Sequence, residues 1–243
     1  MLSTEEIERY QRQMMLPEWG EKGQEKLKAA RLVVAGAGGL GSASLIYLAA
    51  AGVGSIRIID SDEVELDNLN RQVLFASTDI GKSKALAAAE RIRQLNPSIR
   101  VEGIPDMITE RNAQALVEDC IIVDALDNLQ TRLVLNAVAV ERGLPLFHGT
   151  VYGFEGRATT IIPGRTACLS CLYRDVIPGT VPVVGVTPAI IGSIQATEVI
   201  KYVVGIGDLL VNRLLIYDGS TMRFTDMRIK RDPQCEECGK KTE

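Results

Sequence analysis

The chain reads as a doubly wound α/β protein: a mainly parallel sheet followed by a C-terminal antiparallel region. Three observations predict this. Short aliphatic runs at 32–35 (LVVA), 56–60 (IRIID) and 120–125 (CIIVDA) alternate with stretches of helical period. Runs apolar on both faces suit parallel strands covered by helices on either side. A glycine turn, GAGGLG at 36–41, joins the first run to a helical stretch. From Tyr152 onward the texture changes to alternating, turn-rich segments with two Cys-x-x-Cys pairs. At 243 residues the chain can bury a large core and is read as a single domain, 1–243. Within it, residues 1–30 form N-terminal helices, 31–150 the parallel part and 151–243 the antiparallel part.

Ser3 and Glu6 have capping-box spacing, so a helix starts there and carries Arg9, Tyr10, Arg12 and Gln13. Its plain reading is a solvated amphipathic helix, ended by Pro17 and Gly20. GQEKLKAA forms a second short helix. Leu32–Ala35 is the first strand, and Gly36, Gly38 and Gly41 fall in G-x-G-x-x-G spacing before the helical stretch LGSASLIYLAAAG. A strand, tight turn and helix in that order present unpaired backbone N–H groups where a phosphate can sit, the Rossmann-like arrangement. The second strand ends at Asp60, about twenty residues on, where a carboxylate can hold a ribose hydroxyl. The turn therefore predicts a nucleotide without saying which.

Asp62, Asn68 and Arg71 lie just beyond that strand, at the end where open α/β sheets bind ligands. A helix over 81–95 opens with Lys82 and Lys84; the helix dipole opposes cations there, so a nearby anion would rationalise them. A strand at 99–104 and a helix, TERNAQALVE, precede the strand 120–125. Asp124 and Asp127 lie at that strand's carboxyl end, with Asn128 as the next N-cap. Cys120 reads as core. His148, the only histidine, ends the strand PLFHGT and reads as a satisfied structural residue rather than a catalyst. VYGFEGRATTIIPG turns like antiparallel strands, and 172–187 is a long connection without regular period. Pro188 starts the helix AIIGSIQATEVIKYVV, and RLLIYDG with TMRFTDMRIKR makes a last hairpin.

Hydrophobic residues make up 46% of the chain and charged residues 24%, with a net charge of −4. That balance argues against nonspecific nucleic-acid binding. No run is long enough to span a bilayer, and the charged N-terminus is not a signal peptide, so a cytoplasmic location is expected. Four of the five cysteines form the pairs Cys168/Cys171 and Cys235/Cys238. In a reducing compartment two such knuckles read as a structural Zn²⁺ site; a redox-active pair is the alternative. The zinc would staple the start of the long connection to the C-terminus.

A dehydrogenase needs the glycine turn and the ribose acid, but not Arg71, Lys84, Asp62 and Asp127 beyond them. A triphosphate with Mg²⁺ does, because cations neutralise phosphate oxygens and a carboxylate holds the metal. The segments RYQRQ, GAGGLGS, AGVGSIRIID, LDNLNRQ, GKSKA, DALDN, FEGRATT, GVTPAIIGSIQATEVIKY and the two knuckles resemble the ubiquitin-activating-enzyme-like adenylyltransferases MoeB, ThiF and HesA, in order and over nearly the whole chain.

The resemblance implies an enzyme that joins ATP to the C-terminal Gly-Gly carboxylate of a small ubiquitin-like sulfur-carrier protein (MoaD/ThiS-like), releasing pyrophosphate. It further implies a homodimer and a sulfurtransferase acting afterwards. Carried over, Gly38, Gly39 and Gly41 would approach ATP, Asp60 would hold the ribose, and Asn68, Arg71 and Lys84 would contact phosphates. Asp127 would serve adenylation through Mg²⁺, and Arg12 would reach into the partner subunit's site. Many relatives carry a cysteine in the long connection that links covalently to the activated partner; residues 172–187 contain none. The competing readings are adenylation of another substrate (a peptide C-terminus or a tRNA nucleoside), an NAD-dependent oxidoreductase, and a non-catalytic scaffold.

Overall fold

The computed structural model describes residues 1–173 and 182–239. Its centre is one eight-stranded sheet in the order β3-β2-β1-β4-β5-β6-β7-β8. The strands are β1 (Arg31–Ala35), β2 (Ser55–Ile59), β3 (Arg100–Ile104), β4 (Ile121–Asp124), β5 (Leu146–Tyr152), β6 (Glu155–Ile161), β7 (Arg213–Asp218) and β8 (Arg223–Arg228). The first five pair in parallel, with Leu32 opposite both Ile56 and Ile121. From β5 onward the pairing is antiparallel. The antiparallel part therefore continues the parallel sheet through β5, which pairs with β4 on one side and β6 on the other.

The helices are α1 (Thr4–Met14), α2 (Gly20–Ala29), α3 (Gly39–Ala50), α4 (Lys84–Leu95), α5 (Ala113–Val117), α6 (Leu129–Arg142), α7 (Leu169–Leu172) and α8 (Val186–Val204). Period-two alternation in β1 divides the core. Leu32 and Val34 join Leu45 and Leu48 of α3, Ile92 of α4, and Ile191 and Val199 of α8. Val33 and Ala35 join Val117 of α5 and Leu135 and Ala139 of α6. Burial on both faces is what the uniformly apolar strand sequence requires.

Several boundaries differ from the sequence expectation, and α2 starts at Gly20 rather than Gly23. The helix expected over 81–95 begins at Lys84, because Gly81 adopts φ +83° and Ser83 caps the helix by accepting from Leu86 N at 3.4 Å. The helix read from TERNAQALVE shrinks to α5: Asn112 Oδ1 accepts from Thr109 N at 2.7 Å to make a turn first, and Glu118 at φ 49° ends the helix. The helix expected to start at Pro188 starts at Val186, with the proline in the first turn, where its missing N–H costs nothing. Part of the long connection, 174–181, lies outside the described residues. Val183 beyond it bridges to Gly153.

The N-terminal helices are fastened to the body. The expected capping box is present, with Glu6 N on Ser3 Oγ at 3.2 Å and Ser3 N on Glu6 Oε2 at 2.6 Å. Tyr10, 3% exposed, accepts through its hydroxyl from Asn96 Nδ2 at 2.8 Å, and Gln13 Nε2 donates to Ala51 O at 2.8 Å. Thus α1 is more than a solvated helix: the Tyr10 and Gln13 side packs inward while Arg12 stays exposed. Among the described residues no helix is long and apolar enough to cross a membrane.

Candidate active site at the sheet switch point

Strand order reverses between β1 and β4, and the crevice at their carboxyl ends is where doubly wound sheets bind ligands. A cavity of about 690 Å³ lies there, a size suited to a nucleotide with room beyond it. The glycine turn forms one wall. Gly36 sits at φ +94°, and a Cβ on it would come within 2.6 Å of Ala125 O. A Cβ on Gly41 would lie 2.0 Å from Gly36 O, so this glycine serves the packing of α3 against the turn. Gly36, Gly38 and Gly39 line the cavity, whereas Gly41 sits behind it.

Asp60 follows β2 and faces the turn. Its Oδ2 accepts from Ala37 N at 2.7 Å and its Oδ1 from Asp62 N at 2.9 Å. Burial raises the Asp60 carboxyl above its ordinary value, against the opposing pull of these two N–H groups and of Lys84. The following segment doubles back, with Glu63 bridging to Ser83 and Lys84 N donating to Asp62 O at 2.9 Å. That fold brings the Lys84 ammonium, 7% exposed, to 3.0 Å from Asp62 Oδ2. Asp62 is thus an anion that answers the cation at the start of α4. Arg71 reaches the same wall, its Nη1 held by Asp67 O at 2.8 Å and Asn70 Oδ1 at 3.0 Å.

The opposite wall comes from β4 and the start of α6. Asn128 caps α6 by accepting from Thr131 N at 2.9 Å, which leaves Asp127 exposed on the rim. Asp127 makes no hydrogen bond or ion pair among the described residues, so both its oxygens are available to a cation. Beneath it lies a buried network. Asp124, wholly buried, meets Arg132 Nε at 3.5 Å and His148 Nδ1 at 2.6 Å, and His148 Nε2 meets the Tyr173 hydroxyl at 2.8 Å. Burial works against the Asp124 charge, but Arg132 and the His148 hydrogen bond outweigh it and hold the carboxyl below its ordinary value. Burial pushes His148 down, against the pull of Asp124, and pushes the Tyr173 phenol up. The consistent assignment is an ionised Asp124, a cationic Arg132 and a neutral His148, with Tyr173 donating to Nε2 and Nδ1–H donating to Asp124. His148 is therefore the satisfied structural residue that the sequence suggested.

The structure gathers Gly38, Gly39, Asp60, Asp62, Arg71, Lys84 and Asp127 around one cavity. Asn68 is 5% exposed and does not line it; its Oδ1 accepts from Glu65 N at 3.2 Å and its Nδ2 donates to Asp67 Oδ1 at 2.7 Å. Arg12 lies on the exposed face of α1, away from this chain's own cavity. Several residues that line the cavity had no role in the sequence reading, among them Gln72, Arg132, and the apolar pair Met107 and Ile108 from the loop after β3. Arg132 alone was findable, one helical turn from Asn128 on the face that carries the N-cap.

The four knuckle cysteines come together apart from this cavity. Their sulfurs all lie within 4.8 Å of one another, and Cys168 Sγ is 3.9 Å from Cys171 and 3.6 Å from Cys235. Four thiolates on a Zn²⁺ at ~2.3 Å would sit ~3.8 Å apart, so the cluster fits a tetrahedral ion. Asp232 N donates to Cys171 Sγ at 3.5 Å, the kind of contact that steadies a thiolate ligand. Cys120 is separate, buried beside β4, where burial raises its thiol.

Residues 10–237 match the ThiF family. The chain belongs to the ThiF family. The "Sulfur carrier protein adenylyltransferase" of Thermus thermophilus is 43% identical over 250 residues, spanning 98% of this chain and 92% of its own. The "SAMP-activating enzyme E1" of Haloferax volcanii is 42% identical over 246 residues, spanning 98% of this chain and 91% of its own. The crystal structure of E. coli MccB superposes with a TM-score of 0.87 at 25% identity, over 99% of this chain and 74% of that one. ThiF-family membership bears out the resemblance to MoeB, ThiF and HesA.

Proposed function

We propose that the chain is an ATP-dependent adenylyltransferase that activates the C-terminal Gly-Gly carboxylate of a small ubiquitin-like sulfur-carrier protein (MoaD/ThiS-like), releasing pyrophosphate. The observation that supports it best is the convergence of a glycine turn, the ribose-facing Asp60, two cations and an unpaired carboxylate on one cavity. The names of the Thermus and Haloferax relatives supply the substrate class.

On this reading Asp60 accepts from a ribose hydroxyl, and the turn at Gly38–Gly39 presents N–H groups to the phosphates. Arg71 and Lys84 neutralise the phosphate oxygens, where charge builds as pyrophosphate leaves. A carboxylate oxygen of the carrier attacks the α-phosphorus. The bond from that phosphorus to the bridging oxygen breaks, and pyrophosphate departs with the electron pair. Asp127 would hold Mg²⁺, a hard ion that takes oxygen ligands and supplies charge neutralisation at the phosphates. The four-cysteine cluster would hold Zn²⁺ as a structural staple between α7 and the C-terminal segment. The whole chain, 1–243, serves as one adenylation domain and works as a homodimer in which Arg12 of each copy completes the other's site. Its expected place is the cytoplasm, where ATP and reduced thiols coexist, and a sulfurtransferase would consume the adenylate.

The test is ATP–pyrophosphate exchange with a panel of Gly-Gly-ending carriers from the same genome. Exchange that requires one carrier and its last glycine is expected. ATP binding without exchange across the panel would contradict the substrate.

A further inference from the structure

The cavity contains a side chain with a hydrogen-bonding capacity that nothing in the protein uses. Gln72 is 4% exposed, lines the cavity, and its Oε1 is buried without a partner. Its Nε2 likewise donates to nothing among the described residues. An idle buried amide is costly, and the chain's other buried glutamines are engaged. Gln195 Nε2 donates to Asp124 O at 2.7 Å and Phe147 O at 2.9 Å, and Gln24 Nε2 to Ala51 O at 2.9 Å. Three other buried side-chain atoms lack a partner: Ser42 Oγ and Gln195 Oε1 lie off the cavity, and Arg132 Nε faces Asp124 at 3.5 Å. Gln72 differs in that its amide N–H groups stand beside the glycine turn at the cavity with no acceptor among the described residues, so they are open to an acceptor atom of a ligand.

Its position says which ligand atom. Gln72 is fixed by its backbone, whose N–H donates to Asn68 O at 2.9 Å and whose carbonyl accepts from Phe75 N at 3.1 Å. The amide reaches the glycine turn, with Nε2 3.8 Å from where a Cβ on Gly38 would stand. One residue before Gly38, Ala37 N is bound to Asp60 Oδ2 at 2.7 Å, so the ribose carboxylate and this stretch of the turn are adjacent. A nucleotide with its ribose on Asp60 brings to Gly38 the phosphate attached to that ribose, which is the α-phosphate. Resting on the adenylation reading above, we infer that the Gln72 amide donates through Nε2 to a non-bridging α-phosphate oxygen. It thereby stabilises the charge that builds there as the carboxylate attacks and pyrophosphate departs. A neutral, immobilised donor in a water-poor wall suits that task, because it acts in the transition state without reorganising.

The experiment compares wild type, Gln72→Met (similar length, no amide) and Gln72→Glu (same shape, no donor) in carrier-dependent pyrophosphate exchange. Each is run with ATP and with the two diastereomers of adenosine 5′-O-(1-thiotriphosphate), in which one α-oxygen or the other is sulfur. Gln72→Met is expected to lower kcat about 100-fold with little change in KM for ATP, as loss of an oxyanion donor does. Gln72→Glu is expected to fall further through repulsion. The decisive readout is the ratio between diastereomers: replacing Gln72 should change it by about tenfold, because only one sulfur sits at the position the amide contacts. Melting curves check the fold, and the Glu variant serves if the Met variant is unstable. Both diastereomers slowed by the same factor, or an unchanged kcat, would overturn the inference alone. Absence of exchange in the wild type would overturn the adenylation reading and this inference together.

Discussion

Acidification from about pH 7 to about pH 5 spans the range in which an ordinary histidine titrates, and the chain has a single histidine. His148 is wholly buried, and the groups facing it are Asp124, Tyr173 and, across Asp124, the Arg132 guanidinium. Burial depresses its pKa from the ordinary 6.5, despite the pull of Asp124, and Arg132 lowers it further. A second cation there would sit beside Arg132 and remove the acceptor that Tyr173 uses. The unfolded chain takes up the proton near pH ~6.5, before the folded protein does. Stability is therefore fully present above that pH and declines as the pH falls toward the folded value. The slope approaches one proton, ~1.4 kcal/mol per pH unit, or about 3–6 °C in Tm for a chain of this size. Carboxylates with depressed values, such as Glu6, Asp79 and Asp218, lose their contributions only at lower pH, and Asp60, raised by burial, acts with the opposite sign. The assay is urea unfolding at half-unit pH steps for wild type and His148→Gln, which removes the titration but keeps a polar side chain. The wild type should show the extra slope between about pH 5 and 6.5 and the variant should not. Equal slopes would refute the neutral, buried assignment of His148.

Four further outcomes are expected. Asp127→Ala should lower exchange at least about 100-fold while leaving unfolding within about 0.5 kcal/mol of wild type, because the side chain is exposed and unpaired; wild-type exchange would remove Asp127 from the chemistry. Cys168→Ser, or a strong chelator, should release zinc and lower Tm, and metal analysis finding no zinc in the intact protein would refute the Cys₄ site. Gly41→Ala should abolish ATP binding, since the added methyl carbon meets Gly36 O at 2.0 Å; unimpaired binding would show the turn to be pliable there. Arg12→Ala and Asp127→Ala should each be inactive alone, yet mixing and re-equilibrating the two should restore about a quarter of the sites, since half of the dimers then carry one complete site. No recovery would place Arg12 outside the partner's site.

Much of the fold was legible because its signals are local. The aliphatic runs of β1 and β4, the glycine turn and the period of α3 each fix a structure within a few residues. The order of chemistry-bearing residues at strand ends then located Asp60, Arg71, Lys84 and Asp127 without knowledge of the sheet order. What escaped depends on tertiary closure. Gln72 closes the segment LDNLNRQ, but only the approach of the glycine turn shows its amide to be a cavity group. Met107 and Ile108 follow an irregular loop with no spacing to mark them. Asn68 shows the converse, a polar residue at a strand end whose amide closes a local turn at Glu65 and Asp67. Helix starts at Lys84 and Val186 moved because capping by Ser83 and a tolerated first-turn proline outweighed the apparent period.

On the adenylation reading, a carboxylate of a carrier protein becomes joined to AMP in the cavity at the switch point. Intact-protein mass spectrometry of the carrier, incubated with this protein, ATP and Mg²⁺ and quenched rapidly, tests it directly. The predicted result is a carrier heavier by one adenylyl group at its C-terminal glycine, absent when that glycine is removed or Asp127→Ala is used. ATP consumed with the carrier unmodified, or the adenylyl group found on a lysine instead, would contradict it.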